Sequence, residues 1–253
     1  MCVTCGCSGH QDDNSSHSHD HNHDHHHHGH HHQHNETEDR LINLERDVLH
    51  QNNLLAERNK GYFMAKNILC INLVSSPGSG KTTLLERTLT DLKNELKFSV
   101  IEGDQQTTAD ADRIAQTNTP VKQINTGKGC HLDAHMILHA LQELKPEENS
   151  VLFIENVGNL VCPSMFDLGE KERVVIISTT EGDDKPLKYP DMFHGSSICI
   201  INKMDLLPYV NISIEKLKEN MLKINPKLTI FEVSCTSGEG LTEWYDWLHK
   251  QLV

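Results

Sequence analysis

Residues 68–83, ILCINLVSSPGSGKTT, decide how the rest of the chain is read. An apolar run meets a cluster of small residues and then a helix-forming start, the strand–loop–helix context that makes a Gly-rich string a phosphate-binding loop. Gly78 and Gly80 let the backbone bend around Ser79 so that its amides face phosphate oxygens. A helix beginning near Lys81 adds the partial positive charge of its N-terminus. Lys81 is placed to reach β- and γ-phosphates, Thr82 to offer its hydroxyl to Mg2+, and Thr83 to line the same turn. The strict pattern G-x-x-x-x-G-K-[ST] fails at its first position, where Ser75 stands for Gly.

Working outward, β-rich runs recur as KFSVIEGD, VKQIN, SVLFIEN, RVVIIST, SSICIIN and LTIFEV. Helix-like stretches separate several of them: TTLLERTLTDLKNEL, HLDAHMILHALQEL and NISIEKLKENMLKI. Near-continuous apolar strands alternating with helices predict an α/β fold, a mainly parallel, doubly wound sheet covered on both faces. This domain is assigned to residues 67–253 and a helical segment to residues 38–66. In that segment Leu41, Leu44, Val48 and Leu55 fall near one face and are expected to pack.

Residues 1–37 form a different kind of segment. Thirteen of the 19 histidines lie between His10 and His34, interleaved with polar residues, so nothing is available to bury and disorder is expected. Cys2, Cys5 and Cys7 form C-x-x-C-G-C and can ligate one ion without a fold. A planar N/S donor set suits Ni2+ and a tetrahedral one Zn2+. The histidines imply several exchangeable ions. A formal charge of −13 disfavours a nucleic-acid partner. No apolar run is long enough to span a bilayer, so no membrane role is expected. The chain does not open on a secretion signal, and its eight scattered cysteines are no disulfide framework. A cytoplasmic, reducing setting is therefore expected.

Asn202-Lys203-Met204-Asp205 ends another apolar strand and fits the N-K-x-D signature for guanine. A carboxylate at Asp205 accepts from guanine N1–H and N2–H but meets a lone pair on adenine N1. One charge-assisted bond of about 1.5–3 kcal/mol is enough to favour GTP. Ser234, Cys235 and Thr236 open a loop suited to closing over the base. Glu155 and Asp104, both at strand ends, compete as Mg2+ ligands with Thr82, and Asp110 is a weaker candidate. ENVG replaces the usual D-x-x-G, and Asn159 stands where a water-orienting Gln often follows. Slow intrinsic hydrolysis follows, below about one turnover per minute.

Within the same domain Cys130 adjoins His131 at an expected helix start, which favours thiolate. Cys162 lies seven residues beyond Glu155, so its loop must feel movement of the nucleotide-sensing segment. Read alone, Cys130, His131 and Cys162 fit a metal site or buried inert thiols equally. His135 and His139 read as a second ligand set or as the polar stripe of an amphipathic helix. Cys70 and Cys199, within apolar strands, read as core.

Taken together, CVTCGC, SSPGSGKTTLLERT, GDQQTTADADR, NTGKGCHLDAHM, FIENVGNLVCPSMFDLGE, STTEGDDKPLKYPDMF and INKMDLLPY closely resemble the HypB family of nickel-incorporation GTPases in [NiFe]-hydrogenase maturation. The resemblance implies a homodimeric P-loop GTPase of the SIMIBI class. It implies Ni2+ at the N-terminal cysteines, and Ni2+ or Zn2+ at Cys130, His131 and Cys162 on the dimer interface. Implied partners are a HypA-type metallochaperone, a SlyD-like prolyl isomerase and the hydrogenase large subunit precursor. The urease-accessory GTPase, built on the same fold, places Cys-Pro-His together; here Cys-His and Cys-Pro are separate.

Overall fold

The computed structural model describes residues 33–105 and 108–252, with side chains from residue 42 onward. The chain divides into two units, Met1–Val48 and Leu49–Val253. In the first, the described residues are helical, the opening turns of α1 (Gln33–Ala65). The second holds a seven-stranded sheet.

The strands are β1 (Leu69–Ser75), β2 (Phe98–Asp104), β3 (Val121–Asn125), β4 (Val151–Glu155), β5 (Glu172–Ser178), β6 (Ile198–Asn202) and β7 (Thr229–Glu232). They lie in the order β3-β2-β4-β1-β5-β6-β7, and every neighbouring pair is parallel. All seven β-rich runs of the sequence form strands. The helices after α1 are α2 (Lys81–Leu92), α3 (Ala109–Ala115), α4 (Ala134–Leu144), α5 (Cys162–Met165), α6 (Lys185–Lys188), α7 (Pro190–His194), α8 (Ile214–Ile224) and α9 (Leu241–Gln251).

The central strand β1 is buried at every position, which requires helices on both faces. Its alternation divides the core. Leu69, Ile71 and Leu73 pack with Leu84, Leu85 and Leu89 of α2 and with Trp244 and Leu248 of α9. Cys70 faces the other way, with Phe63 of α1 and Ile137 and Leu141 of α4. Val74 joins Phe193 of α7 and Leu217 and Met221 of α8. Cys70 and Cys199 are both fully buried, as core residues should be. Because β4 and β5 flank β1 on opposite sides, the chain crosses over at the sheet's centre. A crevice opens at the carboxyl ends of strands in such a fold.

The face of α1 differs from the spacing-based expectation. Leu44 and Val48 are exposed, at 60% and 50%, whereas the buried positions are Asn52, Ala56, Asn59 and Phe63. Two asparagines occupy this stripe because what they meet is backbone. Asn52 Nδ2 donates to the Asp167 carbonyl at 2.8 Å, and its Oδ1 accepts from the Ala134 amide at 2.9 Å. Asn59 Nδ2 donates to the carbonyls of Ala134 at 2.9 Å and Leu168 at 3.2 Å. Gly169, at φ +90°, lets the loop approach so closely that a Cβ there would lie 2.5 Å from the Ala56 carbonyl. Thus α1 clasps the start of α4 and the loop after α5, the two flanks of the cysteine-bearing segments.

Asn59→Ala leaves two buried carbonyls without this donor and is expected to lower unfolding free energy by about 1–3 kcal/mol. Urea denaturation measures it, and a loss within experimental error of zero would show that the clasp is not structural.

Candidate nucleotide and metal site

The loop after β1 encloses a cavity of about 470 Å3 with the ends of β2 and α3; Ser75, Gly78, Ser79, Gly80, Lys81, Thr82, Thr83, Glu102, Asp104, Asp110 and Arg113 are among its walls. Gly78 and Gly80 take φ of +76° and +92°, and α2 starts at Lys81 with Gly80 as its cap. Gly80 has a second reason to lack a side chain: a Cβ would lie 2.4 Å from Asn202 Nδ2.

Glu155 ends β4 beneath this loop with no exposed surface. Its Oε1 accepts from Lys81 Nζ at 2.8 Å and from Thr82 Oγ1 at 2.6 Å. Its Oε2 is buried without a hydrogen-bond partner. Asp104 and Asp110 line the same cavity, while Glu155 lies beneath it, bonded to Lys81 and Thr82. Carboxylate and hydroxyl oxygens of this kind are the donors that a hard cation such as Mg2+ takes.

N-K-x-D is divided between two tasks. Asn202 Nδ2 donates to the Ser79 carbonyl at 3.0 Å, and Lys203 Nζ donates to the Gly78 carbonyl at 2.6 Å. These side chains pin the loop after β6 to the loop after β1. Asp205 bonds elsewhere, its Oδ1 accepting from the Ser234 hydroxyl at 2.6 Å. The Cys235 amide points at Asn202 Oδ1 at 3.4 Å, so Ser234 and Cys235 brace the recognition residues. Asn159 Oδ1 accepts from the Val161 amide at 2.8 Å, closing a turn in its own loop.

Cys130, His131 and Cys162 come together, with one donor atom from each lying within 4.8 Å of the others. The two Sγ atoms are 2.7 Å apart, and Cys130 Sγ is 3.8 Å from His131 Nδ1. Both thiols are buried. His131 stacks on Phe166, with ring centroids 3.9 Å apart. Burial lowers its pKa, with Asp133 opposing, which favours the neutral, ligating imidazole. Two sulfurs and a nitrogen suit Ni2+ or Zn2+. One detail is corrected. The helix starts at Ala134, capped by Asp133, whose side chain accepts from the Met136 amide at 2.8 Å. Cys130 therefore precedes the helix by four residues, beyond the first turn in which the helix dipole acts. Cys2, Cys5, Cys7 and the histidines up to His32 lie outside the described residues.

Four residues that the sequence did not single out complete the site. Asn156, fully buried, accepts at Oδ1 from the Leu132 amide at 3.2 Å and the Val157 amide at 3.0 Å. Leu132 also fills the space beside Gly103, where a Cβ would lie 2.8 Å from its side chain. The segment carrying Cys130 and His131 is thus wedged between β2 and the end of β4. Gln105 Nε2 adds a bond to the Gly129 carbonyl at 3.1 Å. Arg113 bonds Glu86 at 2.6 Å on the cavity rim. Glu102, 2% exposed, pairs in register with Glu155. An acidic residue amid an apolar strand was its sequence signal; the others left none.

The chain's residues 69–232 match the nucleotide-binding domain described as CobW/HypB/UreG. The hydrogenase maturation factor HypB of Escherichia coli K12 is 56% identical over 215 residues, covering 85% of this chain and 74% of that protein. The chain belongs to the HypB family of hydrogenase maturation factors. Its fold is that of solved HypB structures. The HypB of Archaeoglobus fulgidus superposes with a TM-score of 0.75 at 41% identity, covering 80% of this chain and 99% of that one. HypB of Helicobacter pylori, solved in complex with nickel, gives the same TM-score and identity over 80% and 95% of the two chains.

Glu102 gives this HypB-family domain a pH signature. Burial, then the carboxylates of Glu155 and Asp104, push its pKa from 4.5 to about 8, with Lys81 opposing. Between these values the unfolded chain is ionised there while the folded chain keeps its proton, so stability falls as pH rises and levels off above. Thermal unfolding of nucleotide-free protein at pH 5 and pH 8 is expected to show this fall, and Glu102→Gln to reduce it. Equal slopes for the two proteins would remove Glu102 as the cause.

Proposed function

We propose that this HypB-family protein is a GTP-hydrolysing nickel metallochaperone that stores Ni2+ and delivers it to a [NiFe]-hydrogenase large subunit precursor, with the bound nucleotide governing the Cys130–His131–Cys162 site. One observation carries the reading. The segment that begins at Glu155, bonded to Lys81 and Thr82, ends seven residues later at Cys162 in the three-donor cluster. The nickel-bound relative from Helicobacter pylori supports the choice of cargo.

Thr82, Asp104 and Glu155 would hold Mg2+, which neutralises charge on the β- and γ-phosphates when bound. The buried, unpartnered Oε2 of Glu155 fits such a ligand role. An arriving triphosphate draws Lys81 toward its β- and γ-oxygens and away from Glu155. The carboxylate must then find another partner, because an uncompensated buried charge costs several kcal/mol. Gly158 backs onto Pro77, where a Cβ would lie 3.3 Å away, so the phosphate loop and the segment leading to Cys162 shift together. Asn156 transmits the same displacement to Leu132 and hence to His131. Asp205 selects guanine. Hydrolysis is slow, since Asn159 spends its carbonyl on a local turn rather than on a water.

The N-terminal cysteines and histidines, residues 1–37, serve as the store. The protein works in the cytoplasm as a homodimer, receiving or passing nickel with a HypA-type metallochaperone and a SlyD-like prolyl isomerase. Among the described residues no helix is long and apolar enough to cross a membrane.

Nickel affinity of the full chain, measured with GDP and with a non-hydrolysable GTP analogue, tests the coupling. A nucleotide-dependent change of about tenfold (roughly 1.4 kcal/mol) is expected, within the usual range for coupled sites. Cys162→Ala should abolish it. Equal affinities in both nucleotide states would favour a nickel buffer whose GTPase domain is only a scaffold. Lys81→Ala should abolish GTP hydrolysis while leaving nickel stoichiometry at the N-terminal segment unaltered, as read by metal analysis. Turnover at the wild-type rate would remove Lys81 from the chemistry.

A further inference from the structure

We propose that Asn72, Glu170 and Arg173 are positioning residues, a buried relay that carries movement of the segment after Glu155 through the core to the flank of Cys162. Asn156 begins it. Its Nδ2 donates to Asn72 Oδ1 at 3.3 Å, and Asn72 Nδ2 donates to Glu170 Oε1 at 3.0 Å. Arg173 donates to the same oxygen from Nε at 2.9 Å and from Nη2 at 2.8 Å. The guanidinium also reaches backbone. Nη1 donates to the Ser164 carbonyl at 3.2 Å, and Nη2 to the Phe166 carbonyl at 3.0 Å. Ser164 lies in α5, which Cys162 opens, and the Phe166 ring stacks on His131. The far end of the relay therefore grips the immediate neighbours of two of the three donors.

Stability alone does not explain these residues. Asn72 has no exposed surface and interrupts the apolar strand LCINLVS. It lies between Cys70, packed with α4, and Val74, packed with α7 and α8. The side chains of Glu170 and Arg173 are 5% and 11% exposed. A buried ion pair is often no more stabilising than apolar residues of the same volume. What a fully satisfied polar network adds is one defined arrangement of the segments it joins. Burial works against the Glu170 charge, but Arg173 and Asn72 overcome it and hold its pKa below the usual value. The carboxylate thus stays an acceptor for both. Room for motion exists at the far end, where a cavity of about 350 Å3 borders Ser164, Met165, Glu170 and Arg173. The relay rests on the proposed coupling of nucleotide to metal and gives it a second arm. Asn156 Oδ1 holds the Leu132 amide while its Nδ2 leads to α5, so one displaced amide moves both sides of the cluster.

The test is nickel affinity of the full chain with GDP and with a non-hydrolysable GTP analogue, in wild type, Asn72→Leu and Arg173→Lys. It is read from the thiolate-to-nickel absorption that Cys162→Ala removes. Leucine fills the space of Asn72 but passes on no hydrogen bond. Lysine keeps a cation beside Glu170 without the planar fork that holds two carbonyls. The ratio of affinities in the two nucleotide states is expected to fall from about tenfold in wild type to about twofold or less in each variant. Nucleotide affinity without metal should stay within about threefold of wild type, since neither residue shares a partner with the nucleotide. Comparing two nucleotide states of one protein cancels any general loss of stability. The full wild-type ratio in Arg173→Lys, whatever the folding of Asn72→Leu, would overturn the relay and leave the delivery reading standing. Equal affinities in wild type would overturn both.

Discussion

A carboxylate sealed from water must be held by partners, and Glu155 is held at one oxygen by both the lysine and the threonine of the phosphate loop. The rest of the site depends on this cluster. It ties the end of β4 to the start of α2, so the loop that cradles phosphate and the segment leading to Cys162 cannot move independently. The other oxygen has no partner, which keeps the arrangement poised for a further ligand rather than closed.

The side chains of the three-donor cluster are fixed by backbone as much as by one another. Leu132 is gripped from one side by Asn156 and pressed from the other against Gly103. Asn52 and Asn59 secure the next residues from α1. Those two asparagines also hold the loop at 167–168, which follows Cys162. Cys130, His131 and Cys162 therefore meet because three elements far apart in sequence agree on where Leu132 and Ala134 lie. The thiols, at 9% and 0% exposure, are shielded from bulk solvent, while His131 is half-buried.

Much of the architecture was legible in the chain itself. Strand runs such as VLFIE and ICIIN are continuous apolar blocks, and burial on both faces leaves no other pattern. The glycine-bent loop leading into α2 was equally readable, whereas the bonds from Asn202 and Lys203 to its carbonyls are not part of the motif's spacing. Illegible were contacts between a side chain and distant backbone. Asn52 and Asn59 look like solvent-facing residues on an amphipathic helix, and a hydrophobic-periodicity reading chose Leu44 and Val48 instead. Asn156 sits beside a motif acid and bonds a residue 24 positions away, which no spacing rule encodes. Arg113 is likewise hidden, since its partner Glu86 lies on another helix.

The bonds from Asn202 and Lys203 to the Ser79 and Gly78 carbonyls join the loop after β6 to the loop after β1, the two parts that the proposed reading assigns to the two ends of a nucleotide. A molecule whose base and phosphates are covalently joined loses its overall translational and rotational freedom once, whereas guanosine and inorganic triphosphate arriving separately lose it twice. The intact nucleotide thus enjoys a connection advantage over its fragments that no single contact supplies.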